Sequence, residues 1–184
     1  MIETARLRLT PFSRADFDVF VDQMLTDQSV VEHYHSYRGK TDLALIRRQA
    51  EEDFWEHFEE SRVDYGLEIF AIHRKDDDEG FVGWAGLLHT PLTETYGGHE
   101  LQYMISGDTS GRGYATEAAQ AVLLHMTAAH PDLKIIATVD IPNIGSIRVL
   151  DKLGFIREAQ IEAYNSSEMY LYRLATDQAS SGRS

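Results

Sequence analysis

Residues 110–118 read SGRGYATEA: two glycines flank an arginine, and alanine-rich helical sequence follows at once. Glycines at 111 and 113 let backbone N–H groups turn outward with no Cβ in the way. The free N–H groups of the first helical turn would point at the same spot, where a helix carries about half a unit of positive charge. Such an arrangement suits a phosphate or pyrophosphate. Three known motifs do not fit. A P-loop requires a lysine and then Ser or Thr after its last glycine, where Tyr114 and Ala115 stand. A dinucleotide fingerprint requires Gly or Ala where Thr116 stands. A nucleophile elbow requires a serine between two glycines, and Ser110 is not so placed. Alone, the stretch also reads as an ordinary glycine turn between strand and helix.

A second motif, NIGSIRVLDKLGF over residues 143–155, shifts the weight. The two motifs in this order resemble the Gcn5-related N-acetyltransferase (GNAT) superfamily. The opening TARLRLTPF and the strand HELQYMI are similar to the branch that includes the ribosomal-protein N-terminal alanine and serine acetyltransferases. By element order the resemblance covers residues 3–174. It departs at Ser110, where the superfamily often has Gln or Arg, and at Gln102, where the strand usually has glycine.

The resemblance implies that acetyl-CoA is the co-substrate, with no metal. It implies direct transfer: a neutral primary amine attacks the thioester carbonyl, a tetrahedral intermediate forms, and the CoA thiolate leaves. The backbone of Gly111, Arg112, Gly113, Tyr114, Ala115 and Thr116 would cradle the pyrophosphate, with the Thr116 hydroxyl and the Arg112 side chain as added contacts. Asn143 and Ser146 would flank the pantetheine. The strand would splay near Met104 and Ile105, so that the pantetheine pairs with its edge and a backbone N–H near Tyr103–Ile105 meets the oxyanion. Glu100 is the implied base; it also reads as a residue that positions the amine or merely faces solvent. Ser146 is the candidate acid for the thiolate, with Tyr103 and Tyr114 as alternatives. On residue type alone, Asn143 reads as a helix N-cap and Ser146 as a position inside the first turn. A protein N-terminus is the acceptor the branch suggests. An aminoglycoside- or polyamine-like amine, or a non-catalytic acyl-CoA-binding module, are the alternatives.

These residues need elements to carry them. The alternation in ETARLRLTPF predicts a strand with Ala5, Leu7 and Leu9 on one side. Ser13 can cap a helix bearing Phe17, Phe20, Val21 and Met24. Thr41 or Asp42 can cap a second, over residues 41–61, with a stripe of Leu43, Ile46, Ala50, Phe54 and Phe58. The aromatic loop VVEHYHSYRGK between them could shape a substrate pocket. LEIFAIHRK and FVGWAGLLHT read as strands joined by an acidic, solvated hairpin turn at DDDEG. Trp84 reads as core or pocket wall. GGHELQYMIS, LKIIATVD, IREAQIEA and SEMYLYRLA supply four more strands, with the two motif helices between them. Gly154 suits the end of the second motif helix. The strand–helix–strand unit across residues 100–139 requires a right-handed parallel crossover. The expected fold is therefore a mixed α/β sheet of seven strands with helices on both faces. The resemblance adds that the sheet is mostly antiparallel with one parallel, splayed pair.

A single domain is expected over residues 1–175, with a disordered polar tail over 176–184. Cysteine is absent, which excludes disulfides and thiolate metal sites. Among eight histidines, His33 and His35 form the one close pair, without a third ligand at zinc spacing. Seventeen basic residues against 30 acidic ones give a formal charge of −13. That charge opposes nucleic-acid binding; it suits a cationic substrate, and it reads equally as surface charge that only keeps the protein in solution. No apolar run reaches membrane-span length and none resembles a signal peptide. The expected setting is cytoplasmic, away from membranes, as a monomer or homodimer.

Overall fold

The computed structural model describes residues 1–34, 36–76, 80–164 and 166–175. His35, most of the acidic DDDEG turn and the tail lie outside the described residues. One sheet of eight strands organises the chain: β1 (Ile2–Glu3), β2 (Leu7–Pro11), β3 (Ile69–Arg74), β4 (Phe81–Leu88), β5 (His99–Ile105), β6 (Ile135–Asp140), β7 (Phe155–Ala163) and β8 (Ser166–Leu174). Their spatial order is β1-β2-β3-β4-β5-β6-β8-β7. All neighbours run antiparallel except β5 and β6.

The strand beyond the expected seven comes from the opening segment. Ile2 and Glu3 fold back on Leu9 and Arg8 to make a short hairpin. Thr4 holds its turn, accepting the Leu7 N–H at its hydroxyl. Leu7 and Leu9 are fully buried as the alternation predicts, whereas Ala5 falls in the turn and is exposed.

Helices cover both faces. One face carries α1 (Arg14–Val19), which continues as a wider π turn over Phe20–Met24, then α2 (Gln28–Val31), α3 (Leu43–Ala50) and α4 (Glu56–Tyr65). Ser13 caps α1 in a reciprocal box with Asp16, and Asp42 caps α3. The α3 stripe of Ile46, Ala50, Phe54 and Phe58 repeats every four residues. On a straight α-helix it would drift by about 40° per step. A π turn over Glu51–Trp55 absorbs the excess and joins α3 to α4. Phe54 then sits centrally, with ring centroids 4.9 Å from both Phe20 and Trp84 and 5.6 Å from Phe12. Trp84 belongs to this core at 2% exposure.

The other face packs α6 (Tyr114–Ala129) and α7 (Ile144–Lys152) against Leu101, Ala137, Val139, Phe155 and Tyr172. Gly154, in left-handed backbone, follows α7 as its sequence position suggested. The sequence reading missed two short helices, α2 and α5 (Pro91–Tyr96). Pro91 at the first position of α5, behind Thr90, is the available signal. Among the described residues, no helix is long and apolar enough to cross a membrane.

Candidate active site

The sheet opens at its one parallel pair. β5 and β6 align only at His99–Ile135 and Glu100–Ile136. Beyond Glu100, β5 stays with β4 as far as Ile105, while β6 follows β8 as far as Asp140. The divergence expected near Met104–Ile105 thus begins already after Glu100. Strand geometry fixes which groups line the wedge. The His99 N–H donates toward the β6 side, to the Lys134 carbonyl, and the Ser106 N–H donates to Val82 on the β4 side. Alternation therefore turns the N–H groups of Leu101, Tyr103 and Ile105 toward β6; the Leu101 N–H closes the last rung, on Ile136, and those of Tyr103 and Ile105 face the wedge beyond it. Side chains alternate as well. Leu101, Tyr103 and Ile105 face α6 and α7, whereas Glu100, Gln102 and Met104 face the α1–α4 side.

β5 ends on a short 3₁₀ turn, Gly107–Thr109, and the glycine loop follows. Gly111 and Gly113 have φ of 77° and 81°, the left-handed region that disfavours a side chain. A Cβ on Gly111 would meet nothing within 4 Å, so conformation rather than space requires glycine there. Gly113 is the N-cap of α6 and offers no side chain to satisfy the first-turn donors. The N–H groups of the first turn, through Thr116, therefore face outward at the loop. The Tyr114 ring is buried in the core below, with the Arg6 guanidinium 4.8 Å from its centroid. Only its backbone is presented to the loop.

A residue the sequence reading passed over holds this loop. Arg6, in the β1–β2 turn, donates from Nε to Glu117 Oε2 at 2.7 Å and from Nη1 to the Arg112 carbonyl at 2.8 Å. Its backbone N–H and the Thr4 hydroxyl donate to Glu117 Oε1 at 2.9 and 2.6 Å. Burial alone would raise the Glu117 carboxyl; the bonds from Thr4 and Arg6 outweigh it and hold it below the usual carboxylate range.

α7 begins beside β5. The Asn143 side chain accepts the Ser146 N–H at 3.0 Å, which makes Asn143 the cap its sequence position suggests. The Ser146 hydroxyl donates to the Tyr103 hydroxyl at 2.8 Å, and Tyr103 donates to the Ser146 carbonyl at 3.3 Å. Burial pushes the Tyr103 phenol up to about 12, with the Ser146 bond opposing it. Tyr103 therefore keeps its proton at neutral pH, with the Ser146 hydroxyl against its oxygen.

The far side of the wedge is built differently. Glu100 is 1% exposed, so it does not face solvent. The Thr138 hydroxyl donates to its Oε1 at 2.5 Å and Gln102 Nε2 to its Oε2 at 3.0 Å. The Tyr164 hydroxyl, from the β7–β8 turn, also donates to Oε2. Tyr164 is the one non-glycine among the described residues with positive φ, 51°. Burial and then the Glu100 charge raise its phenol well above the ordinary value. The Tyr34 phenol is raised too, by burial first and then by Asp53 and Glu100. Tyr34 and its neighbour His33 belong to the aromatic loop, so that loop lies over the acid. His33 Nδ1 is 3.1 Å from Asp140 Oδ2 at the end of β6. Among the described residues, no group of three His, Cys, Asp or Glu side chains is placed to hold a metal.

Thr138, Tyr164 and Arg6 are absent from the sequence-derived set. Thr138 and Tyr164 carry no local motif. Arg6 stood in the quoted TARLRL stretch as a mere outward-facing strand residue.

Comparison with known proteins agrees with this architecture. The acetyltransferase (GNAT) domain family model matches residues 6–156. The Bacillus subtilis protein YkkB is 28% identical over 163 residues, 88% of each chain. An acetyltransferase from Agrobacterium tumefaciens superposes with a TM-score of 0.74 at 23% identity, covering 95% of this chain and 94% of the other. A spermidine N-acetyltransferase from Vibrio cholerae, solved with CoA and spermine, gives 0.65 at 17% identity over 92% and 94%. A ribosomal-protein-S5-alanine acetyltransferase from Vibrio fischeri gives 0.69 at 16% over 96% of each. At these identities the solved structures establish the fold. The family match spans most of the chain, and the protein belongs to the GNAT acetyltransferase family, as an N-acetyltransferase.

Proposed function

We propose that the protein transfers an acetyl group from acetyl-CoA to a primary amine across the β5–β6 wedge. The observation that carries this reading is the alternation along β5. Glu100 on one face of the sheet and Tyr103 on the other flank a slot with unpaired strand N–H groups between them.

The residues fit the co-substrate. The loop N–H groups of Gly111–Thr116 hold the pyrophosphate, with Arg112 beside them. An extended amide arm pairs with the β5 edge at Ile105, past Met104 and alongside Asn143 and Ser146. Acetyl-CoA supplies the electrophilic thioester carbonyl. The N–H of Tyr103 faces the developing oxyanion. Glu100 takes the proton that the amine loses as its C–N bond forms. Tyr103, supported by Ser146, returns a proton to the sulfur as the C–S bond breaks. Ser146 thus acts through Tyr103. Thr138, Gln102 and Tyr164 hold the Glu100 carboxylate in place.

The acceptor is a cation in solution and gives one proton to bulk water before it attacks; Glu100, Asp140 and Asp53 suit the cation, as does the net charge of −13. A protein N-terminus is the first acceptor to test, on the strength of the branch resemblance. A polyamine is the second, on the strength of those carboxylates. Calorimetric titration with acetyl-CoA tests the first half of the reading, and a flat trace would sink it. Thiol release measured across N-terminal peptides and polyamines tests the second half. Binding without turnover on any amine would leave an acyl-CoA-binding module instead.

A further inference from the structure

We infer that Arg6 is a positioning residue for the co-substrate: it sets the direction of a loop N–H that meets the pyrophosphate. The inference rests on the acetyl-CoA reading above and on the geometry of one peptide unit. The Arg6 guanidinium holds the Arg112 carbonyl at 2.8 Å. No cis peptide occurs among the described residues, so the peptide between Arg112 and Gly113 is trans. A trans peptide is planar and sends its C=O and N–H in opposite directions. Pinning the carbonyl toward Arg6 therefore turns the Gly113 N–H away from Arg6.

Arg6 is half-exposed and flanks the loop from the β1–β2 turn. The Tyr114 ring is beneath it and Glu117 beside it. The opposite direction faces away from the β1–β2 turn, and there the Gly113 N–H joins the first-turn N–H groups of α6 as a pyrophosphate donor. Gly113 has no side chain and φ of 81°. Left-handed glycine backbone has alternative conformations within easy reach. A fixed carbonyl removes that freedom before the ligand arrives, and pre-organised donors bind more tightly than donors ordered on binding.

Glu117 anchors the device. It takes two bonds from the Arg6 side chain and backbone and one from Thr4, all from the β1–β2 turn. Arginine is needed because its planar fork spans a carboxylate and a carbonyl at once; a lysine reaches one of them. The β1–β2 turn, distant in sequence from the loop, is thereby part of the donor-binding apparatus.

The test compares two thioesters: acetyl-CoA and S-acetylpantetheine, which lacks the pyrophosphate. The readout is the ratio of their kcat/KM values. Arg6→Met is expected to lower the preference for acetyl-CoA at least about tenfold, as for one misdirected hydrogen bond to a charged group. Arg6→Lys, which keeps the cation and guards against misfolding, should also lower it, by less. Glu117→Gln should give a fall similar to that of Arg6→Lys. A ratio equal to the parent's in the folded Arg6 variants would overturn the inference. So would equal losses on both thioesters, which would mark Arg6 as structural only. A parent protein that fails to bind acetyl-CoA would refute the acetyl-CoA reading itself, which distinguishes that failure from failure of the clamp.

Discussion

The two sides of the β5–β6 wedge are made in different ways. On the α6–α7 side the groups proposed to meet the donor are mainly backbone: loop N–H groups, a helix N-terminus and a strand edge. On the α1–α4 side the groups proposed to meet the acceptor are side chains delivered by separate elements. Glu100 comes from β5, Thr138 from β6, Tyr164 from the β7–β8 turn and Tyr34 from the aromatic loop. A backbone site demands glycines and caps at fixed local positions, so it writes itself into a short stretch of sequence. A side-chain site needs only that the fold bring its members together. The first suits a co-substrate of constant chemistry; the second can change acceptor by changing one side chain, with the scaffold intact.

If the sides are separable, Glu100→Gln should be selective. The substitution keeps the shape and removes the charge proposed to take the amine proton. Turnover is expected to fall about 10²–10⁴-fold, the range of a general base. Acetyl-CoA affinity, measured by calorimetry, should stay within about twofold. A large loss of acetyl-CoA affinity would break the comparison, because it would show that one residue serves both sides. The Arg6 variants make the mirror test, acting on donor preference.

Tyr164→Phe should have a smaller effect on the same side. A non-glycine residue in left-handed backbone costs about 1–2 kcal/mol. Here the φ of 51° sits at a turn whose hydroxyl reaches a buried carboxylate from a distant strand. Strain of this kind persists where the surroundings hold it, and functional sites are where it collects. Removing the hydroxyl takes one of the bonds that orient Glu100. The expected loss is about tenfold in kcat/KM for the amine. Acetyl-CoA binding is the control. An unchanged kcat/KM would make Tyr164 a turn residue without part in the reaction.

The same contrast explains what could be read from the chain. Gly111, Gly113, Asn143 and Gly154 are where their types require, because each answers to its own φ or to a neighbour a few residues away. The stripes of α1 and α3 were legible for the same reason, except that Leu43, at the first position of α3, is exposed rather than part of the stripe, and the π turn in the second followed from a repeat of four that a straight helix cannot hold. Short α5 escaped notice, having a single turn of apolar pattern to offer. The two-residue β1 was hidden inside what reads as one alternating strand. Glu100 was found through the family resemblance, while its burial and its donors Thr138 and Tyr164 were not, since their partnership depends on sheet order. Arg6 combines both cases: its place in an alternating strand suggests an outward side chain, and only the packing of α6 against β1 and β2 supplies its partners.

The smallest expected effect sits where the two sides meet. His99 opens β5, pairs with Ile135 at the closed end of the wedge and immediately precedes Glu100. Its surroundings are Tyr65, with ring centroids 5.8 Å apart, His89 at 5.5 Å, and the charges of Glu94 and His130. Burial, reinforced by His89 and His130 and opposed by Glu94, lowers the His99 pKa below its ordinary value. The unfolded chain therefore binds this proton more readily than the folded one. The corresponding stability is complete above the ordinary histidine value of about 6.5 and is lost as pH falls from there through the lower folded value. Thermal unfolding followed from pH 8 to pH 5 should show Tm falling over that window, and His99→Gln should flatten the fall. A variant with the same slope as the parent would assign the loss to other groups. If the slope is removed, activity at low pH gives the sharper reading. Loosening the closed end of the wedge should weaken acetyl-CoA binding and amine turnover together, because this is the one place where both sides share the same two strands.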